Sequence, residues 1–454
     1  MLRLRRFHVI AGLLLGCCAA PLAAAQQQTK WIVEPQWVAA HEAFLASDAL
    51  QGRGSATRDE AIAAAYVASQ FQSYGLAHAP GMASYLQGAT VIREKLARPA
   101  RLTVDGVTIT PTLLMSSGAP VAGTLAVATS ADPAALPAGD IVLVSAGDAD
   151  PIAFYRAASA RHVKLLLLAQ TAATDKMVAM FGGGPRLPTY LDGQPPQTRG
   201  TVAIVPADQV AALARQAGKT VTLDVATTQQ RDTTTNAIGY LKGSDPEAGT
   251  LLFTAHLDHL GVLPDGTIMH GANDDASGTT AVLELAHALA AGQRPKRSIL
   301  FVCYGSEEIG EFGSTWFGEH PPIPLDQIVA NVEFEMIGAQ DPKLPEGTMM
   351  MTGFDRSNLG AALKAHGALV TGDPYPDQHF FERSDNYALA LKGIVAHTVS
   401  GWAVTPTYHQ PSDTIANLNL PFMTRAIQSL IAPAEWLANS DFKPAWNPGG
   451  KPAE

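Results

Sequence analysis

Residues 250–262 read TLLFTAHLDHLGV, an apolar and β-branched run that breaks off into two histidines and an aspartate. A run of that length reads as a strand buried on both faces. GANDDASGTTAVLELAHALAAG follows over 271–292, with the length and composition of a buried helix. SILFVCYG at 298–305 and IVANVEFEM at 328–336 repeat the strand texture, with a helix near 312–319 between them. Helices near 355–366 and 384–391, a strand in GIVAHTVS at 393–400 and a long helix over 420–438 complete the pattern. Buried strands alternating with helices predict an α/β fold, a mostly parallel mixed sheet flanked by helices.

Working back toward the amino terminus, apolar spacing predicts helices over 35–47 and 58–74, and alternation over 88–110 predicts a half-buried strand pair. From 112 to 228 the texture changes to short β-rich runs punctuated by Pro and Gly, with two helices near 152–160 and 206–217. This predicts a small β-rich domain, 112–228, inserted between two parts of a catalytic unit, 26–111 and 229–454. FGGGPRLP and DGQPPQ mark 177–200 as a loop. Residues 1–25 place three arginines ahead of VIAGLLLGCCAAPL and end in AAA, the pattern of a signal peptide. Export to the periplasm or medium is the expectation. LLGC also offers Cys17 as a lipidation site.

The 454 residues carry 47% hydrophobic and 16% charged side chains, which excludes a disordered or fibrous chain. A net charge of −10 without a basic block excludes a nucleic-acid footprint. No segment past the leader has the ~18 uninterrupted apolar residues of a membrane span. With the leader removed only Cys303 remains, so no intramolecular disulfide forms.

Unusual polar residues sit where the strands end: His256 and Asp258, Glu307 and Glu308, Glu335, and Tyr408 with His409, with Asp274 and Asp275 in the loop before the central helix. Taken singly these residues have bland readings as helix caps, solvated pairs or packed histidines. Together they converge on one sheet edge, where open α/β sheets bind ligands. Two imidazoles and several carboxylates in one cleft point to metal, zinc by ligand type, and clustered carboxylates without cations call for two divalent ions.

HLD, GANDDASG, GSEEIGEFGS, NVEFEMIG and YHQPSDT, in this order, resemble the two-zinc exopeptidase family of bacterial secreted leucine aminopeptidases, whose distant relatives include glutamate carboxypeptidase and the transferrin receptor. LASDALQGRGSATRDEAIAAAYVASQFQSYGL resembles that family's amino-terminal helices, and 112–228 resembles its protease-associated insertion. The resemblance implies peptide substrates and two Zn²⁺ per chain. Asp274 would bridge the ions, Glu308 and His409 would complete one, and His256 and Glu335 the other. Glu307 would be the general base, Asp258 the acceptor behind His256, Tyr408 an oxyanion donor and Arg383 a substrate contact. Asp275 would cap the helix, and His259, His270, His379 and His397 would support or pack. NVEFEMIG departs from the family's commoner N-x-D-M-x-G, and Glu333 competes with Glu335 for the ligand role. Hydrolysis of amino-terminal residues leads; a carboxypeptidase or dipeptidase, a non-catalytic receptor-like module and a single-zinc glutamine cyclase are the alternatives.

Overall fold

The structure is a computed structural model that describes residues 31–180, 184–196 and 200–453. The expected leader, with Cys17, lies outside them. Four parallel strands form the centre of a nine-stranded sheet, in the spatial order Ala396–Ser400, Ile328–Glu335, Thr250–His256 and Ser298–Tyr304. All seven residues of Thr250–His256 and of Ser298–Tyr304 are buried, as their unbroken apolar runs require for strands covered on both faces. Met349–Met351 and Val370–Gly372 extend one edge; Thr227–Leu241, Leu86–Leu96 and Thr189–Leu191 extend the other with antiparallel pairings.

Helix Ser277–Ala291 is apolar on nearly every side because it is covered on every side. It packs on the central strands beneath helices Pro35–Leu45, Arg58–Ser73 and Leu420–Asn439. Its entry depends on Gly278, where a Cβ would sit 2.1 Å from the Phe334 carbonyl oxygen. Thr57 caps Arg58–Ser73 through the amides of Asp59 and Glu60.

A second sheet, of eight strands between Arg101 and Asp224, has its own four parallel strands: Val121–Ala128, Ile141–Val144, Leu165–Ala169 and Thr201–Val205. Alternate residues feed two cores. Ile141, Leu143, Leu165 and Leu167 face one side; Val142, Val144, Leu166 and Leu168 face the other.

Three sequence expectations change. The strand pair over 88–110 is not a pair: Leu86–Leu96 lies along Thr227–Leu241 in the large sheet, whereas Arg101–Val104 and Val107–Ile109 form a hairpin in the second. The second sheet thus starts at Arg101, ahead of the 112 boundary. Helix Ala172–Met180 runs into the start of the expected loop and Thr189–Leu191 forms a strand within it, so the region expected to hold two helices holds a third. Cys303 is buried and free, and no helix of the described residues is long and apolar enough to cross a membrane.

Candidate metal centre

The chain leaves Thr250–His256, passes through helix Ser277–Ala291 to Ser298–Tyr304 on one side, then returns through Phe312–Glu319 to Ile328–Glu335 on the other. The crevice at this reversal opens beyond the carboxyl end of Thr250–His256, where such sheets bind ligands. His256 and Glu335 are the last residues of their strands, and Glu307 and Glu308 follow the third. His256 and Asp274 are buried, whereas Glu307, Glu308, Glu335 and His409 are partly exposed, so the centre has a closed floor and an open rim.

Asp274 stands between two imidazoles. Its Oδ1 lies 3.2 Å from His256 Nε2 and its Oδ2 3.2 Å from His409 Nε2. Glu335 joins His256 and Asp274 in one set of donor atoms close enough to hold an ion. Glu308 Oε2, 3.0 Å from His409 Nε2, completes a second constellation around the other Asp274 oxygen. A metal passes a direct test here: His256 Nε2 and Asp274 Oδ2 are buried and make no hydrogen bond of acceptable geometry despite these short approaches. Ligand atoms about 2.0–2.1 Å from one tetrahedral ion stand about 3.3 Å apart. The 3.0–3.2 Å spacings fit atoms converging on a shared cation.

The shell behind these groups is dense. Asp413 accepts from the amides of Asn273 and Asp274, at 2.9 and 3.0 Å, and so holds the loop that presents Asp274. The Asp274–Asp275 peptide is cis. Asp275 Oδ1 accepts from the amides of Gly278 and Met336, capping the helix as expected and tying it to the end of Ile328–Glu335. Asp258 differs from its expected role. His256 Nδ1 is 3.3 Å from the Asp258 backbone oxygen and 3.8 Å from its carboxylate. That carboxylate instead accepts from Ser55 Oγ and the Glu307 amide, positioning the loop that carries both glutamates. Arg53, fully buried, donates to the carbonyls of Leu257, His270 and Gly271. Glu60 accepts from Ser306 Oγ on the same loop.

The electrostatics follow from burying acid. Burial pushes the Glu307 carboxyl well above its usual range; His256 opposes this and Glu308 adds to it. Burial likewise raises Glu335, Asp275 and Asp258. Asp274 moves down, because the close approaches of His256 and His409 outweigh its burial. His409, lowered by burial, is carried up to about 10 by Asp274 and Glu308. The centre thus draws protons onto its imidazoles, the charge that a bound cation would replace.

Glu333 points elsewhere, accepting from the Asn386 amide and Thr398 Oγ1, which leaves Glu335 facing the centre. Tyr408 stacks on His409 with ring centroids 3.9 Å apart and shares a small pocket with Glu335, Phe380 and Arg383. Arg383 is exposed, its guanidinium 5.1 Å from the Phe380 ring centroid. Of the extra histidines, His270 meets Asp48, His397 is held between Ser357 and Thr352, and His379 is exposed. His259 alone enters the centre, with Nδ1 2.7 Å from Glu308 Oε1. Asp413, Glu60 and Arg53 had no role in the sequence reading, and His259 was read there as a supporting or packing histidine without a named partner. Asp413 could have been suspected from its place in YHQPSDT.

Residues 236–433 match the profile of peptidase family M28. Over those residues the chain is similar to that family. It is 28% identical over 229 residues to leupeptin-inactivating enzyme 1 of Streptomyces exfoliatus, an alignment covering 44% of this chain and 49% of that protein. The chain thus spans about half the length, or less, of the curated relatives it matches. Two solved structures share the architecture of this chain. An aminopeptidase from Aneurinibacillus sp. strain AM-1 aligns with TM-score 0.57 and 20% identity over 92% of this chain and 96% of its own. The zinc aminopeptidase BSAP from Bacillus subtilis aligns with TM-score 0.56 and 19% identity over 93% and 98%. At those identities the likeness concerns the fold, a mixed α/β sheet flanked by helices.

Proposed function

We propose that the protein is an exported two-zinc aminopeptidase that removes amino-terminal residues from peptides. One observation carries the reading: the two oxygens of Asp274 each face a different imidazole, the arrangement of a carboxylate shared by two ions. Glu308 and His409 would complete one site, His256 and Glu335 the other. Bound zinc would supply Lewis acidity and an acidified water. Glu307 sits beside both sets of ligands, its amide anchored on Asp258, and its raised proton affinity suits a base that takes a proton from water and returns it to the leaving amine. Tyr408, stacked on His409 at the rim, would donate to the developing oxyanion. The acidic rim favours a free α-ammonium group. The second sheet is assigned to a protease-associated-like insertion, and residues 1–25 to an export leader.

Aminoacyl-p-nitroanilides compared with amino-blocked peptides, with and without chelator, test the assignment. The expected result is chelator-sensitive hydrolysis that requires a free amine. Arg383, beside Glu335 in the small pocket, favours a second reading in which it anchors a substrate carboxylate. Hydrolysis of blocked peptides that demands a free carboxyl end would establish it and overturn the first.

A further inference from the structure

His259 is completely buried, and its ring is fixed from several directions. Its backbone amide donates to the Arg53 carbonyl at 3.0 Å, and its own carbonyl accepts from Ser55 at 3.2 Å. Gly271, at φ 61°, lets the next loop close over the imidazole: a Cβ there would stand 2.5 Å from His259 Cγ. His259 Nε2 is buried with no hydrogen-bond partner, so Nδ1 is the ring's polar attachment. That attachment is Glu308 Oε1, 2.7 Å away.

The two oxygens of Glu308 therefore have separate tasks. Oε1 meets His259, while Oε2 lies 3.0 Å from His409 Nε2 on the side of Asp274. His259, Asp274 and Glu308 are close enough together to be read as three ligands of one ion. The distances separate a ligand from a donor. Tetrahedral zinc ligands stand about 3.3 Å apart, which the approaches of His409 match. A charge-assisted N–H···O bond is about 2.7–2.9 Å long, which the approach of His259 matches.

We propose that His259 is a positioning residue: its Nδ1–H holds one oxygen of Glu308, turning the other toward the ion shared with His409 and Asp274. This rests on the two-ion reading above. A freely rotating Glu308 would spend part of its time with neither oxygen in place, so the bond pre-orients this half of the centre. Groups that orient metal ligands typically contribute about 10–100-fold in affinity.

The test is Zn²⁺ titration of the metal-free full chain against a competing chelator, for wild type, His259→Asn and His259→Leu. Far-UV circular dichroism and thermal unfolding of the metal-free variants establish that each folds. Asparagine can place an amide N–H near the Nδ1 position; leucine fills similar space without a donor. Wild type and His259→Asn should each take up two ions with similar affinities. His259→Leu should bind its first ion normally and its second about 10–100-fold more weakly, with kcat falling more than KM rises. Two ions bound equally by all three chains would overturn the proposal alone, as would equal losses in both variants. Fewer than two ions in wild type would overturn the two-ion reading and the proposal together.

Discussion

The two large sheets each have a four-strand parallel centre, yet their interiors differ in kind. Between Arg101 and Asp224 the buried polar side chains among the described residues are Ser116, Thr174 and Thr201, none of them charged. The nine-stranded sheet and its helices bury Glu42, Arg53, Glu60, His256, Asp258, His259, Asp274, Asp275, Glu333 and Asp385. Buried charge is costly unless paired or coordinated, so a fold that concentrates it at one strand edge has a use for it there. The second sheet shows the same layering without buried charge among its described residues.

Three substitutions bear on this contrast. Glu307→Gln keeps the shape of the loop that carries Glu307 and Glu308 and removes the proposed base; on the two-ion reading kcat should fall about 10²–10⁴-fold with both ions retained, measured by aminopeptidase assay beside elemental analysis. A variant of near-normal activity would remove Glu307 from the chemistry. Leu143, fully buried in the second sheet, should behave in the opposite way. Leu143→Ala should destabilise that region by about 2–5 kcal/mol in denaturant unfolding while leaving zinc content unchanged. Loss of metal in this variant would mean that the two sheets are not separable in function.

The smallest effect concerns a buried acid outside the proposed ligand set. Burial, against a hydrogen bond from Thr280 and the charge of Arg53, pushes Glu42 up to about 8 from 4.5. Below pH 4.5 the carboxyl is protonated in both folded and unfolded chains. Between 4.5 and 8 the folded chain holds the extra proton, so this stability is lost as pH rises. Glu42→Gln, permanently neutral, should unfold at a higher temperature than wild type above pH 8, the gap closing toward pH 5. A gap that is constant with pH would mean that Glu42 is ionised in the fold.

What the sequence made legible was whatever local pattern controls. Unbroken apolar runs and their polar terminations located the central strands and the edge where His256, Glu307, Glu308 and Glu335 gather. The cap formed by Asp275 was also readable, since it acts three residues away. Long-range partners were not. Leu86–Leu96 finds its neighbour in Thr227–Leu241, and no local alternation distinguishes that from a hairpin with the next strand. Asp413 reaches the Asp274 amide across 139 residues, and Glu60 reaches Ser306 across 246. The family resemblance implied Asp258 as a partner for the His256 ring; the fold gives its carboxylate to the Glu307 amide instead. His259 was read as a supporting or packing histidine, and nothing in HLDH names Glu308, 49 residues on, as its partner.

The central claim is that Asp274 serves two ions at once. Zinc per chain, measured by elemental mass spectrometry on folded wild type and Asp274→Asn, tests it most directly. The account predicts about two zincs in active wild type and weakened retention at both sites in the variant. One zinc in fully active wild type, or two zincs held as tightly by Asp274→Asn, would contradict it.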